Sequence, residues 1–271
     1  GLTLEELNEW EDGDGESPII LSGRLGAMLT REMGLTGSGV LSMEWELKSS
    51  KGGPSIINVE PSIEFPEDSW SFGLSGRIDR VEVLPQKDGW QRIDGKAEVV
   101  PLDLDIGDED PSLRHIIIRE IKSITGPDKG DSGKRHRKAL LQEVQLALYA
   151  RAWELANPGD RVVAVGVSEV GEGTKHLLEI DTSVLSEFGE ELTDESTELV
   201  APLHRRRGES HKDPRSVPFR AWLRHRLEVS GRMADAASSG QVNPTPSAKM
   251  CGYCPVKMSC GLDSAFKGGF A

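Results

Sequence analysis

Apolar residues fall along the chain in two rhythms, one of period two and one of helical spacing. Residues 40–48 and 57–65 carry strand-like apolar positions, separated by a Gly-, Ser- and Lys-rich turn at 49–54. Residues 73–84 (GLSGRIDRVEVL) alternate apolar and polar, which predicts a half-buried strand. Residues 90–100 are its expected hairpin partner across Pro85-Gln86-Lys87-Asp88-Gly89. Residues 115–121 (HIIIREI) have the β-branched density of a strand buried on both faces. The spacing then lengthens. Residues 137–156 form the strongest predicted helix, with apolar positions at 141, 144, 148 and 152, and Asn157-Pro158-Gly159-Asp160 stops it. Residues 161–168 and 175–180 read as two further strands. Residues 19–34, 184–203 and 217–238 read as helices.

This order, strands then a helix, strands then helices, predicts an α/β fold with a mixed β-sheet flanked by helices. Three segments are expected: a loose polar stretch over 1–18, a main domain over 19–240, and an irregular cysteine-rich tail over 241–271. An acidic, Pro-bounded insertion interrupts the domain at 101–112. The chain opens on Gly1 rather than Met, so it is expected to be a piece of a longer protein or to carry a tag remnant. No stretch approaches the ~20 apolar residues of a membrane span, and the acidic start has no signal-peptide pattern.

Composition changes this picture little; charge changes it more. Hydrophobic residues make up 37%, with 30 Gly and 15 Pro, as in a globular protein. The net charge of −13 argues by itself against nonspecific nucleic-acid binding. Its distribution is uneven, however. Acid gathers in 5–16, 103–110 and 186–198. Base gathers in Lys134, Arg135, His136, Arg137 and Lys138, in His204 with Arg205 to Arg207, and at Arg220, Arg224 and Arg226. A metal-dependent nuclease needs such a mixture, with carboxylates for the metal and cations for phosphates. The three cysteines lie close together near the C-terminus, which is no secreted disulfide framework and fits a reducing cytoplasm.

The chemistry centres on Glu120-Ile121-Lys122. Residues i and i+2 of a strand face one side, so Glu120 and Lys122 project together while Ile121 packs behind them. Charges ending so apolar a strand are costly unless used or solvated. Asp79 lies in the other strand, within Gly76-Arg77-Ile78-Asp79-Arg80, and pairing of the two strands brings it beside Glu120. Two carboxylates and a cation suit phosphodiester hydrolysis with Mg²⁺, which takes one or two carboxylates and keeps several waters. The plain structural alternatives are a solvated strand-end ion pair for Glu120 and Lys122, and a salt bridge to Arg77 or Arg80 for Asp79. Asp94-Gly95-Lys96 is a second Asp-x-Lys, in a polar setting with Gly where a core residue belongs.

The ordered set Gly-Arg-Ile-Asp-Arg (76–80), an apolar strand ending in Glu-x-Lys (116–122), and a helix with Gln-Leu-Ala-Leu-Tyr-Ala (145–150) resembles the RecB/AddB-type nucleases of the PD-(D/E)xK superfamily. The resemblance covers roughly residues 56–260. It implies a restriction-endonuclease-like core, with Asp79 and Glu120 as ligands of Mg²⁺ or Mn²⁺ and Lys122 as the catalytic lysine. Gln145 and Tyr149, one helical turn apart, match the pair that supports the site and contacts DNA. It also implies DNA as substrate, and a helicase domain or subunit as partner. One departure is that no histidine precedes His115, although RecB-type nucleases often carry an early one. Arg24, Glu32, Glu60 and Glu64 are the nearest substitutes. This departure motivates an alternative reading as a weak or inactive DNA-binding module of a helicase–nuclease complex. A metal-binding interaction domain without nucleic acid is a third.

Cys251, Cys254 and Cys260 have C-x2-C-x5-C spacing. Clustered thiolates bind soft metals, and four are usual for an iron–sulfur cluster or a closed zinc site. The spacing, followed by Gly261, resembles the last three ligands of the AddB-type [4Fe–4S] cluster. The family's upstream fourth cysteine is absent here, so zinc with a histidine, or three free thiols, remain open. Lys134, Arg135, Arg137 and Lys138, just before the Gln145 helix, are the expected phosphate contacts. Arg205 to Arg207, Arg220, Arg224 and Arg226 are candidates to extend that track. Trp153 and Trp222 are expected in the core.

Overall fold

The protein is described here by a computed structural model. Described are residues 39–48, 53, 55–61, 69–84, 98–102, 113–123, 140, 144–170, 176–180, 197–200, 203–204, 215–216 and 219–241. The chain divides into two compact units, Gly1–Arg232 and Met233–Ala271.

The first unit is built on a six-stranded sheet. Its strands are β1 (Gly39–Glu46), β4 (Arg77–Val83), β5 (Arg114–Ser123), β6 (Asp160–Val170), β7 (His176–Ile180) and β8 (Thr197–Val200), neighbours in that order. β1, β4 and β5 are mutually antiparallel, β5 and β6 are parallel, β6 and β7 antiparallel, and β7 and β8 parallel. β2 (Ser55–Val59) and β3 (Trp70–Leu74) form a separate antiparallel pair, as do β9 (Leu203–His204) and β10 (Arg215–Ser216). Two helices are described, α1 (Gln145–Ala156) and α2 (Phe219–Ser238). A mixed sheet with flanking helices agrees with the expected class and is consistent with a restriction-endonuclease-like fold.

β5 holds the centre because both its faces are covered. Ile116, Ile117 and Ile118 are fully buried, and β-branched side chains fill a pleated surface well. Val162 to Val165 do the same in β6. α1 links these two parallel strands and packs over β5, β6 and β2. Ala147 and Ala150 are fully buried, so the helix has small residues at its core contact. Trp153 is buried edge-on against Trp45 of β1, with ring centroids 5.0 Å apart.

Buried charges fasten these elements. Glu154 of α1 is fully buried and accepts from Val162 N–H (3.0 Å), Arg151 (3.1 Å) and Arg220 of α2 (2.5 Å). Arg151 and Arg220 also donate to the carbonyls of Val100 and Pro101, both at 2.6 Å. Asp160 takes Arg114 in a two-bond fork at 2.8 Å and the indole N–H of Trp153 at 2.9 Å. This joins the starts of β5 and β6 to the end of α1. α2 is seated on β3 at Gly231, where an added Cβ would lie 2.4 Å from the Trp70 ring.

Several expectations are corrected. Residues 73–84 are not one strand, because the chain breaks at Ser75 and Gly76 and β3 and β4 lie in different sheets. Residues 90–100 are not the partner of β4, whose two edges are taken by β1 and β5. The strand expected to 65 ends at Val59. The helix expected over 184–203 is not helical at its end, where Thr197–Val200 is β8. α1 buries Leu146, Ala147, Ala150, Arg151, Ala152, Trp153 and Glu154, so of the expected stripe through 141, 144, 148 and 152, Ala152 is buried and Leu148 is only half-buried against the core. Arg220 and Arg226 are not surface cations. Arg220 is held by Glu154, and Arg226 stacks 4.0 Å over Trp222 and donates to Leu140 O. Arg224 donates to Glu60 O at 2.9 Å. Trp153 and Trp222 are in the core, as expected. The predicted segments 1–18 and 19–34 lie outside the described residues, as does nearly all of the insertion and of the tail.

In the second unit the described residues, 233–241, are the last turns of α2 and its end. The end is closed by Gly240 N–H to Ala237 O (3.1 Å) and Gln241 N–H to Ala236 O (2.7 Å). Among the described residues no helix is long and apolar enough to cross a membrane.

Glu154→Ala strands two buried guanidinium groups and is expected to cost about 3–5 kcal/mol of unfolding free energy. Arg77→Ala, which breaks an exposed pair with Glu44, is expected to cost no more than about 1 kcal/mol. Urea denaturation of both variants checks the contrast.

Candidate active site

β4 is covered on both faces, since Ile78 and Val81, three positions apart and so on opposite sides of the pleat, are both fully buried. On the β1 side the partners step from Arg80↔Met43 to Ile78↔Trp45, passing over Asp79 and Glu44. Glu44 has φ 53°, a left-handed conformation costing a residue with a Cβ roughly 1–2 kcal/mol. On the β5 side the ladder stops at Arg80↔Arg119.

Where the strands part, a side chain continues the connection. Asp79 Oδ2 accepts the backbone N–H of Ile121 at 2.8 Å. The register, extended by one residue, sets Asp79 opposite Glu120. Glu120 and Lys122 share one side of β5, and Lys122 Nζ donates to Glu120 Oε1. The glutamate is nearly buried, with 11% of its side chain exposed, while Lys122 is 45% exposed. The pair therefore lies where the strand emerges into solvent.

The first turn of α1 closes over the same carboxylate. Gln145 Nε2 donates to Glu120 Oε2 at 3.1 Å and to Tyr149 Oη at 3.0 Å. An amide nitrogen has two protons, so both are committed. Val144 precedes the helix without a side-chain cap, so the tertiary bond from Gln145 to Glu120 does much to seat its first turn. Gly76, just before β4, comes against the same tyrosine. A Cβ there would lie 3.3 Å from Leu47 Cδ1 and 3.4 Å from Tyr149 Oη. The chain Gly76, Tyr149, Gln145, Glu120, Lys122 thus crosses from β4 through α1 to β5.

An open cleft of about 510 Å³ adjoins Gly76, lined also by Glu46, Leu47, Lys48, Ser75 and Arg77. Lys48 is paired with Glu46, and Arg77 with Glu44 at 2.6 Å, all more than half exposed. The hydrogen bond and charge of Lys48 hold the Glu46 carboxyl below its ordinary value.

Asp79, Glu120, Lys122, Gln145 and Tyr149 are thus linked in one neighbourhood. Lys134, Arg135, Arg137 and Lys138 lie outside the described residues, as do Cys251, Cys254, Cys260 and Asp94-Gly95-Lys96. Glu60 is described and exposed, and Arg24, Glu32 and Glu64 are not described. Among the described residues no three His, Cys, Asp or Glu side chains gather as a metal cage. Two neighbouring carboxylates nevertheless suit a hard divalent cation that takes its remaining ligands from water and phosphate. Sequence reasoning gave no role to Gly76, Leu47 or Glu44. A glycine before a charged strand was the available signal for a close contact, and nothing in the sequence marked Glu44.

Asp79→Asn keeps an acceptor for the Ile121 N–H, whereas Asp79→Ala leaves it without one. The alanine variant is expected to be less stable than the asparagine variant by about 1 kcal/mol, and paired denaturation curves check this.

The family model of the PD-(D/E)XK nuclease superfamily matches residues 102–261, more than half of the chain. The match contains Glu120, Lys122, Gln145, Tyr149 and the three cysteines, and begins beyond Asp79. No curated protein matches. Members of this superfamily are typically nucleases and usually use divalent metals such as Mg²⁺. With Glu120 and Lys122 at the open end of a central strand and Gln145 bonded across to Glu120, the chain belongs to the PD-(D/E)XK nuclease superfamily.

Proposed function

We propose that this protein is a Mg²⁺-dependent deoxyribonuclease of RecB/AddB type that hydrolyses phosphodiester bonds in DNA end processing or repair. The observation that carries the reading is the Asp79 carboxylate bonded to the peptide beside Glu120, with Lys122 and Gln145 on the two oxygens of Glu120. Superfamily membership supports the reaction class.

Asp79 and Glu120 are the residues that would hold the divalent ion. A bound Mg²⁺ supplies Lewis acidity toward the phosphate and toward a water molecule. In hydrolysis a water oxygen forms a new bond to phosphorus and the bond to the departing sugar oxygen breaks. The water loses a proton and the sugar oxygen gains one. Lys122 contributes positive charge against the charge that develops on the phosphate oxygens. Gln145 orients the Glu120 carboxylate, and Tyr149 fixes the Gln145 amide, so both are positioning residues. DNA is the proposed substrate, with a helicase domain or subunit as partner.

Labelled single- and double-stranded DNA, incubated with Mg²⁺, with Mn²⁺ and with EDTA, tests the proposal. Cleavage is expected with either metal and not with EDTA. Asp79→Ala and Lys122→Ala are each expected to lower the rate by about 100-fold or more, and Asp94→Ala to leave it nearly intact. Loss of activity in Asp94→Ala would instead select Asp94-Gly95-Lys96. Binding without cleavage by the wild-type chain favours the second reading, an inactive DNA-binding module, which the lack of any histidine before His115 supports.

Cys251, Cys254 and Cys260 are proposed to hold a [4Fe–4S] cluster, with the family match extending through all three. Such a cluster would tie the cysteine-bearing segment together. Anaerobically purified protein is expected to absorb at the blue end of the visible range, and Cys254→Ser to lose that band. Colourless protein with stoichiometric zinc would overturn the iron–sulfur assignment.

A further inference from the structure

The cleft beside Gly76 contains charge that hydrolysis does not use. Lys48 and Arg77 lie on its wall, 59% and 57% exposed at their side chains, and both fall outside the matched family residues. Each is occupied by a glutamate of β1, Glu46 for Lys48 and Glu44 for Arg77. Exposed pairs of this kind contribute little stability and exchange readily.

The cleft is also linked to the reacting groups through a chain of contacts. Gly76 lines it and stands against the Tyr149 hydroxyl, which is bonded to Gln145 and through it to Glu120. Arg77 precedes Asp79 by two residues, roughly 7 Å of strand. A nucleic-acid strand with one phosphate at Asp79 and Glu120 therefore has a neighbouring phosphate within reach of this wall.

Resting on the nuclease reading, we propose that the cleft is a second phosphate subsite. In it Lys48 and Arg77 exchange Glu46 and Glu44 for the backbone phosphate of the nucleotide next to the scissile one. Glu46 and Glu44 then act as stand-ins for phosphate in the free protein, holding the two cations in place until the strand enters. Gly76 lets the cleft wall pack closely on Leu47 and Tyr149, which a side chain there would press upon.

The test is the affinity of the full chain for a fluorescein-labelled single-stranded DNA oligonucleotide in EDTA, measured across a salt series. Lys48→Ala with Arg77→Ala is expected to weaken binding at least tenfold. It should also reduce the slope of log affinity against log salt by about 0.7, one single-strand phosphate contact. Glu44→Gln with Glu46→Gln is expected to tighten binding several-fold, a gain that a structural role for these pairs would not produce. With Mg²⁺ present, the alanine pair should raise KM more than it lowers kcat, as expected for a contact made equally before and during reaction. Thermal unfolding shows whether both double variants are folded. DNA bound and cleaved by the wild type, with the alanine pair unchanged in affinity and slope, would overturn the subsite alone. A wild-type chain that neither binds nor cleaves would overturn the nuclease reading and the subsite with it.

Discussion

The bond from the Ile121 peptide to the Asp79 carboxylate is the contact on which the site depends. Strands β4 and β5 run together through four paired positions and then separate. A sheet that separates leaves backbone donors facing a gap, and a donor without a partner is costly when shielded from water. Asp79 fills the gap with a side-chain oxygen. One residue thereby satisfies the backbone of β5 and delivers negative charge to the mouth of the opening. Glu120 arrives at the same place because β5 is too apolar to end anywhere but at the edge of its own core.

The scaffold around this opening relies on enclosed ion pairs as well as on apolar packing. Glu154 and Asp160 are both buried, and between them they gather Arg151, Arg220, Arg114 and Trp153. On the face of the sheet turned away from Asp79, Glu82 is bound by Arg80 at 2.6 Å and by Arg119 at 3.3 Å, again with little or no exposure. Such pairs are directional. They fix helix and strand ends relative to one another more sharply than contacts between leucines, which tolerate sliding. A site whose members come from β4, β5 and α1 requires that kind of fixing.

Much of this was legible in the sequence, because its strongest signals were strong for a physical reason. Three consecutive isoleucines can be satisfied only by a strand covered on both sides, and Glu120 and Lys122 share a side because the pleat repeats every two residues. Of the neighbours of β4, β5 was legible from the charged residues the two strands carry, and β1 was not. Alternation identifies a strand but carries no information about what lies beside it, and it favours a nearby segment over the distant β1. The buried arginines were hidden for a different reason. Arg220 and Arg226 look like surface charge in a sequence, because charge is usually exposed, and only their partners reveal otherwise. The face of α1 is legible only in part, at Ala152, because Arg151 and Glu154 are buried as a pair, which no hydrophobic pattern records. Glu44 adopts a left-handed backbone, a conformation glutamate rarely takes and a sequence does not announce.

The missing cap at Val144 ties the site to the local stability of α1. Starting a helix is the unfavourable part of forming one, and here Glu120 of β5 helps to anchor its first turn from outside. Fraying of that turn and disorder at the glutamate are thus one event rather than two. Amide exchange over residues 145–148 becomes a readout of whether the carboxylate is in place, and it needs neither substrate nor metal to be read.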